Sequence, residues 1–160
     1  MTKSWIEKLH KKDLPKIVEL DEKLSRRYKG ARTMVIPSPE EVMQIMGRVP
    51  RGALISVSEI RKILAHKHGT DTTCPLTTGI FIWIAANASR EMVEKGLANK
   101  EIPFWRTLKS KGELVEKYPG GTEYQKSKLE EEGHRVIQKG KKWVVENFSN
   151  NIVHPEFFME

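Results

Sequence analysis

The chain has 160 residues and a formal net charge of +7, enough polymer for one domain with its own apolar core, or one domain plus an arm. Its single cysteine, Cys74, excludes an intramolecular disulfide, the five histidines form no cluster of metal-ligand spacing, and no run approaches the ~18 apolar residues of a membrane span. No apolar run of signal-peptide length follows Met1, so a soluble, cytoplasmic protein needing no metal, cofactor or membrane is expected, and the basic balance favours nucleic acid or another anionic partner.

The positive charge is concentrated at the start. Residues 1–32 carry ten Lys or Arg against five Asp or Glu, which suits either a solvated helical face or a set of phosphate contacts. From Trp5 to Leu24, apolar residues Ile6, Leu9, Leu14, Ile17, Val18 and Leu20 recur at helical spacing, with a break at Pro15. This predicts a basic helical arm over residues 1–37, ending through Lys29-Gly30 and a short extended piece, Met34-Val35-Ile36-Pro37. Ser38-Pro39-Glu40-Glu41 then starts a helix: Ser38 can cap, Pro39 suits the first turn, and Glu41 closes a capping box. Its buried stripe is Val42, Ile45 and Met46.

After the turn Pro50-Arg51-Gly52, Ser56-Val57-Ser58-Glu59 opens a second helix by the same logic, with Ile60, Ile63 and Leu64 inward and Gly69 as its stop. A threonine-rich turn (Thr70, Thr72, Thr73) leads to Pro75. Leu76 to Ala88 is apolar nearly all round and reads as a buried helix with a polar first turn at Thr77 and Thr78, although its β-branched residues also allow a strand. Two helices joined by a tight turn suggest a helix-turn-helix. Beyond an irregular stretch, Ile102–Leu108, and a loop, Lys117-Tyr118-Pro119-Gly120-Gly121, residues 122–132 read as a helix. Gln138-Lys139-Gly140-Lys141 between two apolar stretches signals a β-hairpin. Residues 149–160 form a C-terminal tail.

Short motifs taken in order along the chain resemble the methylguanine-DNA methyltransferase family. Arg51-Gly52 through Ile60 resembles the turn and first helix of its DNA-binding motif, and Leu76-Thr77-Thr78-Gly79 sits where its recognition helix begins. Pro103-Phe104-Trp105-Arg106 matches the outer residues of its Pro-Cys-His-Arg motif. Tyr118-Pro119-Gly120-Gly121 and Glu132-Gly133-His134 resemble its base-binding loop and closing helix. The likeness spans residues 38–137. It implies a mainly α, winged-helix-like domain over residues 38–148 with a small β-hairpin, whose recognition helix enters the minor groove while a damaged base is extruded into a pocket. Double-stranded DNA, with alkylated guanine in it, is then the partner, alongside other DNA repair proteins. Arg51, Ser56, Thr72, Thr73, Thr77 and Thr78 are the candidate DNA contacts, and Pro103, Phe104, Trp105, Arg106, Tyr118, Pro119, Gly120 and Glu132 the candidate pocket.

The family's alkyl transfer needs a thiolate, a histidine to take its proton and a glutamate to orient that histidine. Here the first two positions are Phe104 and Trp105, so neither role survives and no catalytic residue is assigned. Glu132 remains, and the Trp105 indole N–H is the expected donor to its carboxylate. Val57 replaces the tyrosine near the start of the first DNA-binding helix, and the arginine that fills the space of the extruded base has no match near Pro75-Leu76. The implied function is therefore that of the alkyltransferase-like proteins, which lack the cysteine, bind alkylated guanine and hand it to other repair machinery. Those proteins carry tryptophan in the cysteine position and keep the histidine; this chain departs from both patterns. Two alternatives stay open: a winged-helix domain repurposed for regulatory DNA or protein contact, and a cysteine methyltransferase using Cys74.

Overall fold

The strongest local signals in this sequence are its helix starts, and they set the frame of the fold. A computed structural model describes residues 3–159. Ser38 caps α3 (Pro39–Gly47) with a complete capping box: its hydroxyl accepts the Glu41 N–H, and the Glu41 carboxylate accepts the Ser38 N–H at 2.7 Å. At α4 (Val57–His68) the Glu59 carboxylate accepts the Ser56 N–H at 2.8 Å, and Gly69 closes the helix at φ +65°, a conformation that costs a side-chain-bearing residue more. Following Cys74, α5 (Pro75–Glu94) runs for 20 residues. The interleaved faces of these three helices bury Val42, Met46, Ile60, Leu64, Ile82 and Ala85.

Two expectations are corrected, and the first concerns residues 1–37. Helix α1 covers only Trp5–Leu9, and Lys16–Glu19 is a strand, β1, not the continuation of a helix. Pro15 supplies no N–H and its ring blocks the preceding turn, while the β-branched pair Ile17-Val18 favours extended backbone. After a short helix α2 (Glu22–Arg27), β2 (Thr33–Ile36) pairs antiparallel with β1 on one edge. On its other edge it pairs parallel with β4 (Thr72–Thr73), so the arm is hydrogen-bonded to the turn between α4 and α5. Asp71 reinforces that junction by accepting the Arg32 N–H at 2.9 Å.

The second correction is the fold class. The architecture is mixed α/β, with six α-helices and three small sheets among the described residues, and not mainly α with one hairpin. Two-residue strands leave no alternation for a sequence reading to find. Ile55-Ser56 (β3) pairs in parallel with Thr107-Leu108 (β5), which joins the start of α4 to the segment after Phe104. The hairpin itself is present as β6 (Val136–Lys139) and β7 (Lys142–Val145), with Gly140 at φ +62° in the turn. Before it lies α6 (Gly121–Glu131). The last segment returns to the core, with the Val153 N–H on the Leu54 carbonyl at 2.8 Å. No described helix is long and apolar enough to cross a membrane.

Helix α5 outruns the expected Leu76–Ala88 by a polar turn and a half, because polar anchors hold that turn. Ser89 accepts the Ile102 N–H at 2.7 Å, Arg90 pairs with Glu101 at 2.7 Å, and Glu91 accepts the N–H groups of Trp5 and Ile6 at the start of α1. Glu91 therefore docks the arm. Replacing it (Glu91→Ala) is expected to release α1, lowering the local opening free energy of the Trp5 and Ile6 amides by about 2 kcal/mol. Hydrogen exchange checks this: unchanged protection of those amides would show that apolar packing alone holds the arm.

Candidate functional site

The segment Pro103–Arg106 turns Phe104 and Trp105 into the interior. Pro103 caps a single 3-10 turn, Phe104–Arg106, and the turn directs Phe104 into the centre of the molecule. Phe104 is fully buried, with ring centroids 5.2 Å from Tyr118, 5.5 Å from Trp105 and 6.0 Å from Tyr124. Edge-on and stacked rings at these separations gain packing energy beyond the area they bury. The residues that the resemblance assigns to a base pocket, Phe104, Trp105 and Tyr118, are thus packed against one another.

Around it the polar groups satisfy one another. Glu132 lies just past α6 with its side chain only 3% exposed. The Trp105 indole N–H donates to its Oε2 at 3.1 Å, as expected from the sequence. Arg106 forks onto the same carboxylate at 2.9 and 2.7 Å and donates its third nitrogen to the Val49 carbonyl at 2.7 Å. Burial pushes the Glu132 carboxyl up, but the hydrogen bonds from Arg106 and Trp105 and the Arg106 charge outweigh it and hold it below the usual carboxylate range. The paired carboxylate is an ionised structural clamp with no proton to give.

Tyr118 is expected to meet a base, and the structure turns it inward. Its ring is buried, its hydroxyl donates to the Thr107 carbonyl at 2.9 Å, and burial raises its pKa well above the ordinary tyrosine value. Pro119 is buried beside it, and Gly120 at φ +81° leaves no room for a Cβ, which would fall 2.5 Å from Tyr124 Cβ. The loop is a packing element. Gln125, absent from the sequence-derived site, organises its polar side: it accepts the Val115 N–H at 2.8 Å and donates to the Trp105 carbonyl at 3.1 Å. Its spacing four residues before Leu129 on the buried face of α6 was the available signal.

The predicted DNA contacts divide by burial. Ser56, Thr73 and Thr78 are corrected to interior residues. Ser56 is engaged by Glu59, Thr73 donates its hydroxyl to the Arg61 carbonyl at 2.7 Å, and Thr78 donates to the Cys74 carbonyl at 2.7 Å. Small hydroxyls that satisfy backbone carbonyls at a helix start read the same in sequence as hydroxyls awaiting a phosphate. Thr72 is half-buried and accepts from Arg61 at 3.1 Å; Thr77 is half-buried on the first turn of α5. Arg51 is exposed and reaches the Glu131 carbonyl at 3.2 Å. Between these, Leu76 stands 71% exposed at the tip of α5, although its place in the apolar run predicts burial. Cys74 sits at the same helix start, and among the described residues no hydrogen bond reaches its sulfur. No group of three or more potential metal ligands exists among them either.

No protein-family model and no curated protein matches this chain. Two solved structures do. One is S. pombe Atl1 in complex with damaged DNA containing O6-carboxymethylguanine, 21% identical over 73% of this chain and 94% of that one, with a TM-score of 0.49. The other is S. pombe ATL in complex with DNA, at the same identity and coverage and a TM-score of 0.50. The chain shares its fold with an alkyltransferase-like protein.

Two outcomes follow from the Glu132 cluster. Glu132→Ala leaves a mostly buried guanidinium and an indole N–H without their acceptor, and is expected to cost about 3–5 kcal/mol in chemical denaturation; a loss below about 1 kcal/mol would mean the pair is not structural. The second concerns pH. Burial lowers the pKa of His134, against the raising effect of the Glu132 charge, so the unfolded chain takes up that proton first as pH falls through the ordinary histidine range. Stability therefore drops there, and drops further below the ordinary carboxylate range as Glu132 is neutralised. The thermal midpoint should fall between pH 7 and pH 5 (about the histidine range), and His134→Phe should flatten that fall; a midpoint independent of pH in this window would contradict the assignment.

Proposed function

We propose that this protein binds double-stranded DNA without catalysing alkyl transfer, serves alkylation repair, and engages the duplex through the first turn of α5. The observation that carries this reading is Leu76. At the N-terminal end of α5 the aliphatic side chain of Leu76 is 71% exposed. It suits insertion between base steps from the minor groove, where apolar side chains act as wedges. The shared fold with a DNA-bound alkyltransferase-like protein supports the DNA-binding reading. The net charge of +7 supports phosphate contact.

Lesion capture, as the family resemblance implies it, needs revision. Phe104, Trp105 and Tyr118 are buried against one another, and in this reading an extruded alkylguanine has no space among them unless a ring is displaced. Sensitivity to damage, in this reading, arises from how readily a duplex unstacks around the wedge and not from hydrogen bonds to the altered base. Transfer through Cys74 is disfavoured in this reading because among the described residues no hydrogen bond from a base reaches the thiol.

Titration with a duplex oligonucleotide tests the reading. Binding at about 50 mM salt that weakens steeply toward 200 mM is expected, since each phosphate contact releases counterions. Leu76→Asp should lower affinity at least about tenfold, roughly 1.4 kcal/mol, with an unchanged melting temperature. No binding at low salt would favour the regulatory or protein-contact alternative, and label transferred from methylguanine DNA to Cys74 would overturn the non-catalytic assignment.

A further inference from the structure

A second feature of the molecule is a cleft of about 840 Å³ between the N-terminal arm and α5. Lys3, Lys8, Lys11 and Lys12 line one wall, and Leu14 and Trp83 lie on its apolar side. None of these four lysines has a carboxylate within 4 Å among the described residues, whereas ten other pairs of the protein do satisfy that distance. Glu7 and Asp13 also line the cleft and offset only half of the four lysine charges; Glu7 accepts the Ser4 N–H at 3.3 Å as part of the cap of α1. Lys8 and Lys11 instead rest against rings, with their Nζ atoms 4.4 Å from the Trp5 centroid and 5.9 Å from that of Phe81. Four lysines without carboxylate partners around one cleft that also has an apolar side suit a polyanion with an apolar part.

Its position relative to Leu76 narrows the class. Leu76 and Trp83 are seven residues apart on α5, so they share one face of the helix, about 10 Å apart along its axis. Lys117 extends the same face, its Nζ 4.7 Å from the Trp83 ring and its carbonyl fixed by Asn87 at 2.9 Å. Leu76 therefore projects from the same face of α5 that carries Trp83 into the cleft lining.

We propose that the cleft holds the phosphodiester backbone of the strand flanking the Leu76 contact, with Lys8, Lys11 and Lys12 on its phosphates. This rests on the DNA-binding reading above and adds a second contact that the base pocket does not provide. The docked arm is then part of the DNA footprint, and Glu91, which docks it, sets the spacing between wedge and clamp.

The test is the salt dependence of duplex binding by the unaltered protein, by the double variant Lys11→Glu/Lys12→Glu, and by a control, Lys100→Glu/Lys111→Glu, with the same change of net charge. Lys11, Lys12, Lys100 and Lys111 are all exposed, so folding is expected to survive and is checked by thermal melting. Loss of two phosphate contacts should reduce the slope of log K against log salt by about 1.8 and weaken binding at least about tenfold at low salt, with a much smaller change in the control. If the unaltered protein binds duplex but the cleft variant matches the control, the cleft assignment fails and the DNA reading stands. If the unaltered protein binds no duplex at low salt, both fail. Titration with free deoxyadenosine monophosphate, followed by tryptophan emission, distinguishes the other source of the same chemistry: mononucleotide binding as tight as duplex binding would make this a free-nucleotide site and overturn the strand assignment.

Discussion

Glu132 is the acceptor on which the centre of this protein depends. Its carboxylate takes two hydrogen bonds from Arg106 and one from the Trp105 indole, and Arg106 carries the connection on to the Val49 carbonyl at the end of α3. A charge this poorly exposed is tolerated only when it is paired and its lone pairs are satisfied. Here one carboxylate ties the 3-10 turn 104–106 to the end of α6 and to the helix beneath. With both neighbours of the turn held, Phe104 has a single place to go, and the rings of Tyr118 and Tyr124 close over it.

That constraint explains how a chain with this fold is assembled without the chemistry that its motif order suggests. A thiolate and an imidazole need access to a substrate and to solvent-borne protons. Phenylalanine and tryptophan in the same positions need the reverse, a dry contact with their neighbours. The polar partners follow suit: Tyr118 turns its hydroxyl to a carbonyl and Gln125 spends its amide on backbone groups. The exposed groups lie elsewhere: Leu76 projects at the tip of α5, and Lys3, Lys8, Lys11 and Lys12 on the docked arm lack carboxylate partners among the described residues.

Much of this is legible in the sequence alone. Ser38-Pro39-Glu40-Glu41 and Gly69 mark α3 and the end of α4 because capping is a local interaction written in four or five residues. The Trp105 to Glu132 bond is legible because the motif order puts a donor where the family has a histidine. The arm is not legible, since the helical spacing of Ile17, Val18 and Leu20 is overridden by a strand partner far along the chain, in β2. Nor is the burial of Ser56, Thr73 and Thr78. A hydroxyl beside a helix start looks alike whether it meets DNA or a carbonyl, and only the path of the chain decides. Leu76 misleads for the same reason in reverse. An apolar run over residues 76–88 reads as buried throughout, yet its first residue projects beyond the core.

As proposed, this protein holds DNA by a wedge and a basic surface, with its buried aromatic rings leaving no room for an extruded base. The most direct measurement compares equilibrium affinity for two duplexes that differ only in one guanine, unmodified in the first and O6-methylated in the second, at one salt concentration. A closed pocket predicts affinities within about threefold of each other, because no contact distinguishes the two bases and only the modest difference in unstacking cost remains. A preference of about a hundredfold or more for the methylated duplex, about 2.7 kcal/mol, would contradict it: the altered base would then be captured, with Phe104 and Tyr118 giving way to it.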